Sequence, residues 1–223
     1  MTIKVHGTIM SPWVTRLLAT LEEKGLNYEI VNVVPMGQPD PEFLKISPLG
    51  KVPVLEIDGK FMPDSLAACT YLERKVPEPS LFPKDDWNAG WMLWLCDYLG
   101  TGLFSKVEAP LFIQRFINPV FLKQEPDQSV IDDALNAMPA FYDYLNSQLD
   151  HGSSFFLGDE LQLVDLTAGS IFINLRHAEE TVDKNRWPHL AAFVDRIHTR
   201  ASFTSILDRQ RETLGTVSPM FAN

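Results

Sequence analysis

Apolar and polar positions change period along this chain, and the changes mark out its elements. Ile3 and Val5 alternate with polar neighbours, which is the period of a half-buried strand. Over residues 13–24 the apolar positions recur at helical spacing, and Gly25 follows as an αL stop. Residues 28–34 read as a second strand, and residues 41–46 as a short helix. Val54, Leu55 and Ile57 are strand formers, Asp58-Gly59 is a hairpin turn signal, and Phe61-Met62 begins the return strand. Asp64 and Ser65 are good N-cap residues for a helix over 66–75.

A βαβ unit, a hairpin and a helix together predict a thioredoxin-like α/β domain over residues 1–76. The stretch Val76-Pro-Glu-Pro-Ser-Leu-Phe-Pro83 carries three prolines in eight residues and reads as a linker, set at 77–84. From 85 to 223 every period is helical. Helices are expected over 85–103, 106–124, 128–149, 163–177 and 189–198, with a short one after Ser202. The fold expected is thus an α/β thioredoxin-like domain followed by an all-α domain.

Composition narrows the function classes. With 223 residues the chain suits two domains. No apolar run is long enough for a membrane span, and the Met-Thr-Ile-Lys-Val-His-Gly start reads as a strand, not a signal peptide. Cys69 and Cys96 are too few for a disulfide framework and lie in apolar helical patterns, so buried thiols in a reducing, cytoplasmic setting are expected. A formal charge of −10 disfavours nucleic acid and anionic membrane as partners. The charge is uneven: residues 1–80 carry 8 Lys/Arg against 10 Asp/Glu, and the remainder 11 against 19. The less acidic half is the one that suits an anionic ligand.

That half also carries the candidate chemistry. In Ser47-Pro-Leu-Gly-Lys-Val-Pro-Val-Leu-Glu-Ile57, Pro53 opens a strand and cannot donate to the sheet there. The backbone beside it is then open to an extended peptide, and the helix that starts at Asp64-Ser65 presents N–H groups and partial positive charge to a carboxylate. Ser11-Pro12 opens the first helix, with Ser as cap and Pro at the first helical position. Ser11 has two roles open to it: capping alone, or donating to a thiolate placed at that helix start, where both the hydroxyl and the helix lower thiol pKa.

These residues resemble the glutathione S-transferase family. The match lies in Val52-Pro53 ahead of a strand, in Asp64-Ser65 opening a helix at the right spacing, and in the Ser-Pro-aromatic run Ser11-Pro12-Trp13. The last resembles the serine-type members, tau- or theta-like or of a related bacterial class. The resemblance implies a transferase of alkyl or aryl groups with glutathione as co-substrate, of the kind that serves detoxification. Ser11 would stabilise the thiolate. Pro53 would be cis, the Val52 backbone would pair with the cysteinyl unit, and Lys51 would belong to the same glutathione-binding set. Ser65 would hold the γ-glutamyl carboxylate, and Asp64 would sit near the γ-glutamyl amine, where most members carry Glu or Gln. The electrophile would be lined by Met10, Trp13, Trp94, Tyr98 and Phe104. A homodimer is the usual assembly of the family. The other reading is a non-catalytic protein that binds glutathione or partners with the same fold.

Three further readings complete the sequence picture. No cysteine stands at Met10–Trp13, which disfavours a thiol–disulfide carrier, and the five histidines lack metal-ligand spacing, so no metal is assigned. Trp87, Trp91, Trp94 and Tyr98 form an aromatic stripe that reads as core or domain interface before ligand box. Asp165 resembles the family's structural cap ahead of a buried helix. Gln162 stands where that cap has Ser or Thr and is a poor N-cap, so the helix start there is expected to be weak or rebuilt.

Overall fold

The computed structural model describes residues 1–35, 37 and 40–221, Thr216 by its backbone alone. The chain divides into two compact units: residues 1–81 with 201–209, and residues 82–200 with 210–223.

Unit 1 holds a four-stranded sheet in the order β2-β1-β3-β4. The strands are β1 (Ile3–His6), β2 (Glu29–Val31), β3 (Val54–Ile57) and β4 (Lys60–Pro63). β1 runs parallel to β2 and antiparallel to β3, and β4 returns antiparallel beside β3. Register places Ile3 opposite Ile57 and Val5 opposite Leu55, so the buried side chains share one face. On the other face His6 Nε2 lies 2.7 Å from Glu56, whose carboxyl that contact and Lys4 pull below its usual value. The helices are α1 (Pro12–Glu23), α2 (Pro41–Ile46) and α3 (Ser65–Lys75), with α1 packed on α3. β2 is shorter than the expected strand: ladder pairing with the four-residue β1 supports only Glu29–Val31. The segment that follows carries three residues, at 36, 38 and 39, outside the described set.

The Pro-rich stretch is anchored. Lys24 at the end of α1 is buried and donates to the carbonyls of Val76 (2.7 Å) and Pro79 (2.9 Å). It also pairs with Glu73 at 2.8 Å, and Glu73 accepts from the Ser80 hydroxyl and the Leu81 N–H. The helix expected to be short is α9 (Ala201–Leu214), and its first part belongs to unit 1. Ser202 donates to Glu23 at 2.6 Å, Ser205 donates to Glu22 at 3.2 Å, and Arg209 lies over the Tyr28 ring.

Unit 2 is helical throughout its described regular elements. Its helices are α4 (Asp86–Asp97), α5 (Ala109–Phe112), α6 (Gln128–Gln148), α7 (Leu163–His177) and α8 (Pro188–His198). Wider π-helical stretches occupy Tyr98–Glu108 and Ile113–Leu122, so the two helices expected over 85–124 are one uninterrupted run. Two local contacts accompany the first π-helical stretch. The Ser105 hydroxyl bonds the Gly100 carbonyl five residues back, and Gly102 admits Phe141 of α6 so closely that a Cβ would stand 2.7 Å from its ring. The run ends at Lys123, in the left-handed region.

α7 is the buried centre of this unit. At its start Asp165 accepts the N–H groups of Gln162 (2.7 Å) and Phe156 (3.1 Å), while its own N–H goes to the Gln162 carbonyl (3.0 Å). The cap is therefore rebuilt from backbone groups and one carboxylate. At its end His177, buried among Phe112, Phe116 and Phe221, lies within hydrogen-bond distance of Ser218 (2.6 Å) and Gln210 (3.1 Å), which fastens the chain's last described residues.

Candidate glutathione site

The site grows from two helix starts in unit 1. α1 begins at Ser11, whose backbone is extended and whose Oγ accepts the Val14 N–H at 3.5 Å. That distance is at the outer limit of a hydrogen bond, so the cap is weak and the hydroxyl keeps its donor. Gly7, at the end of β1, explains how this helix start reaches the Val-Pro turn. A Cβ there would meet Val14 at 2.5 Å and Val52 at 3.3 Å, so only glycine lets β1, α1 and residue 52 converge.

The Val52–Pro53 peptide is cis, as the resemblance implied. Val52 and Pro53 are buried, and among the described residues the Val52 backbone makes no hydrogen bond to another backbone group. Lys51 is exposed, with its N–H and C=O both held by the Ser47 hydroxyl at 3.1 and 2.7 Å. The turn is thus fixed from behind and open in front.

α3 begins at Ser65 with Asp64 as its cap. One Asp64 oxygen, Oδ1, accepts both the Leu66 N–H (2.8 Å) and the Ala67 N–H (3.0 Å). The side chain thus caps its own helix through Oδ1. Asp64 sits at φ 74°, ψ 129°, a conformation that costs a non-glycine residue of order 1–3 kcal/mol and recurs at ligand clamps. Ser65 is only 2% exposed, and its hydroxyl accepts from Arg16 Nη2 at 2.5 Å. Arg16 is 4% exposed and lies 4.9 Å from the centre of the Trp13 ring.

Arg16 is the residue that the sequence reading missed. Its only signal is a charged residue within the buried run Val14–Leu21 of α1. A buried guanidinium that donates to Ser65 occupies the hydroxyl's acceptor side and leaves its hydrogen free to donate. With the N-termini of α1 and α3, it makes this corner of an acidic protein attractive to anions.

The expected electrophile lining divides by unit. Met10 and Trp13 are half-buried at the start of α1, and Trp13 stacks on Arg16. In unit 2 the aromatic stripe is not core: Trp87 is 77% exposed and Trp94 43%. Its rings stack in sequence, Trp87 on Trp91 (6.5 Å), Trp91 on Trp94 (4.8 Å) and Trp94 on Tyr98 (5.5 Å). Core packing on that helix falls to Met92, Leu95 and Cys96 instead. Phe104 is half-buried in the π-helical stretch. Among the described residues no group of three His, Cys, Asp or Glu side chains could hold a metal ion, and no helix is long and apolar enough to cross a membrane.

Comparison with known proteins identifies the family. Residues 5–80 match the family model for the glutathione S-transferase N-terminal domain, and residues 112–207 match that for the C-terminal domain. A probable glutathione S-transferase of Oryza sativa subsp. japonica, GSTF2, is 27% identical over 93% of this chain and 92% of its own. A zeta-class enzyme of Euphorbia esula is 32% identical over 74% of this chain and 72% of its own. The crystal structure of a glutathione S-transferase from Rhodospirillum rubrum F11 superposes with a TM-score of 0.85 at 26% identity, covering 92% of both chains. Fold, site geometry and relatives converge: the chain belongs to the glutathione S-transferase family.

Proposed function

We propose that this protein is a glutathione transferase that activates the glutathione thiol at Ser11 and presents it to a small apolar electrophile. The observation that carries this reading is Ser11 itself. Its hydroxyl stands at the start of α1, its capping bond is stretched to 3.5 Å, and Gly7 brings the cis Val52–Pro53 turn beside it. A thiolate there would accept the Ser11 hydroxyl and gain from the helix N-terminus. The glutathione backbone would pair with Val52 beside Lys51 and Pro53, its γ-glutamyl carboxylate with Ser65 and its amine with Asp64. Met10, Trp13, Trp94, Tyr98 and Phe104 are the apolar side chains assigned to the electrophile. Residues 1–76 form the glutathione-binding part and 85–223 the helical part.

The working assembly in this reading is a homodimer in the cytoplasm. Exposed Phe61 and Met62 on β4, and Trp87 on α4, are apolar surface that a second copy would cover. Both cysteines are buried free thiols, which suits a reducing compartment.

The test is retention on a glutathione column followed by conjugation of halogenated aromatics, epoxides, enals and hydroperoxides. Ser11→Ala should raise the pKa of the bound thiol by roughly one to two units, since a hydrogen bond to a charged group contributes about 1.5–3 kcal/mol. Glutathione affinity should stay nearly intact. Retention with no turnover on any electrophile would favour the non-catalytic binding protein.

A further inference from the structure

Three polar contacts cross the packing of α1 on α3, and each joins residues 49 apart in the chain. Arg16 Nη2 donates to the Ser65 hydroxyl at 2.5 Å, Thr20 Oγ1 lies 3.3 Å from Cys69 Sγ, and Lys24 Nζ lies 2.8 Å from Glu73 Oε2. A step of four residues on both helices keeps the contacts on one face of each, so they form a seam of three rungs. Five of the six residues are buried and Glu73 is half-buried. Around them the two helices bury apolar side chains, Val14, Leu17, Leu18 and Leu21 on α1 and Ala68 and Leu72 on α3.

The rungs differ in strength. The Thr20 hydroxyl gives its hydrogen to the Arg16 carbonyl at 2.9 Å, so the Cys69 thiol is the donor in the middle rung, and a weak one. Lys24 closes the far end. Its side chain is fully buried, and its three donors meet three acceptors: Glu73 and the carbonyls of Val76 (2.7 Å) and Pro79 (2.9 Å). Apolar rows can repack after a small slide, whereas a hydrogen-bonded rung holds only near one distance. A slip of α3 along α1 by one residue, about 1.5 Å, would break all three rungs together. The seam thus fixes the register of the two helices and the spacing of their starts. Those starts carry Ser11 and Ser65, assigned above to the thiol and the γ-glutamyl carboxylate of glutathione.

We propose, resting on the glutathione reading of those two serines, that Lys24 is a positioning residue for glutathione. From about 20 Å along α1 it holds, through the Thr20 and Arg16 rungs, the separation at which one glutathione molecule engages both helix starts.

Calorimetric titration with glutathione and steady-state kinetics at varied glutathione test this on the full-length parent, on Lys24→Met and on Lys24→Met combined with Glu73→Leu. The combined variant leaves neither charge without its partner, so its urea midpoint should recover towards that of the parent. Glutathione should still bind about tenfold more weakly to both variants, with kcat at saturation changed by less than about threefold, because register is lost and the reacting groups are kept. Thr20→Val removes the middle acceptor and should weaken binding about twofold. In a Ser65→Ala background the combined substitution should cost less than about twofold, since a contact already lost cannot be misplaced; sites this far apart would otherwise add. Parental affinity in the combined variant, with only the urea midpoint of Lys24→Met lowered, would overturn the proposal, reduce Lys24 to an anchor of the fold and leave the glutathione reading standing. Additive losses with Ser65→Ala would also overturn it, by placing the effect outside the spacing of the two helix starts. Absence of glutathione binding by the parent would remove the glutathione reading itself, and the role of Lys24 with it.

Discussion

Glu108 offers the sharpest quantitative test of the helical unit. It ends the first π-helical stretch, is fully buried, and has Asn174 of α7 as its polar neighbour. Burial raises its carboxyl from 4.5 to about 8. In the folded protein the group is therefore neutral near pH 7, while in the unfolded chain it is ionised. Between pH 4.5 and 8 the unfolded state binds fewer protons, so stability must fall as pH rises through that window. Each pH unit removes about 1.4 kcal/mol, giving a loss of about 3 kcal/mol by pH 7 and about 5 kcal/mol above pH 8. Against a typical total of about 5–15 kcal/mol this is a large share. Other buried groups titrate too: His177 and His198, pushed down to about 4, add stability as pH rises towards 6.5, and Asp165, pushed up to about 7, removes it. The comparison with Glu108→Gln cancels them. The variant keeps the shape and a neutral polar end but cannot ionise. Urea midpoints from pH 5 to 8.5 should show the parent losing stability relative to the variant by about 1.4 kcal/mol per unit, levelling near pH 8. Parallel curves for the two proteins would refute the assignment of a buried neutral carboxyl.

Four further outcomes follow from the contacts. Arg16→Met should raise the KM for glutathione about tenfold or more with a smaller change in kcat, because it acts through Ser65 on the unreactive end of the ligand; steady-state kinetics at varied glutathione checks it. Ser65→Ala should move KM in the same direction, and the surviving N–H of that helix start should keep binding measurable by calorimetry. Asp64→Gly trades a lost cap for a relieved φ and should change thermal stability by less than about 1 kcal/mol, whereas Asp64→Ala keeps the strained backbone and should cost about 1–2 kcal/mol. Lys24→Met should cost about 1–3 kcal/mol in urea unfolding by leaving half-buried Glu73 and the Val76 and Pro79 carbonyls without their cation, and hydrogen exchange at residues 76–81 should accelerate.

What the sequence made legible was local. Ser11, Asp64 and Asp58-Gly59 announce caps and a turn through residues next to one another, and the period changes at 13, 54 and 85 separate strand from helix. The missed features depend on partners far along the chain. Arg16 and Ser65 are 49 positions apart, and nothing beside Arg16 signals that it closes on a hydroxyl. Lys24 is 52 positions from the Val76 carbonyl, so a Pro-rich stretch that looks like a free linker is tied down by a buried ammonium. Gly102 carries no local signal that Phe141 of α6 packs against it. The tryptophan stripe fixes a helix face, but its spacing carries no information on what covers that face.

The two π-helical stretches give this chain a tolerance that a regular helix lacks. Hydrogen bonds from residue i to i+5 hold one residue more per bonded turn than the α form does. A run with such turns at Tyr98–Glu108 and Ile113–Leu122 carries slack in its residue count. Loss of one residue there can be met by tightening a π turn to α, so the faces beyond it keep their direction and Met92 and Phe116 keep their buried places. The same deletion in α7, buried along nearly its whole length, would rotate every later side chain out of the core. Length variation among descendants of this gene should therefore collect in residues 98–122 and spare 163–177.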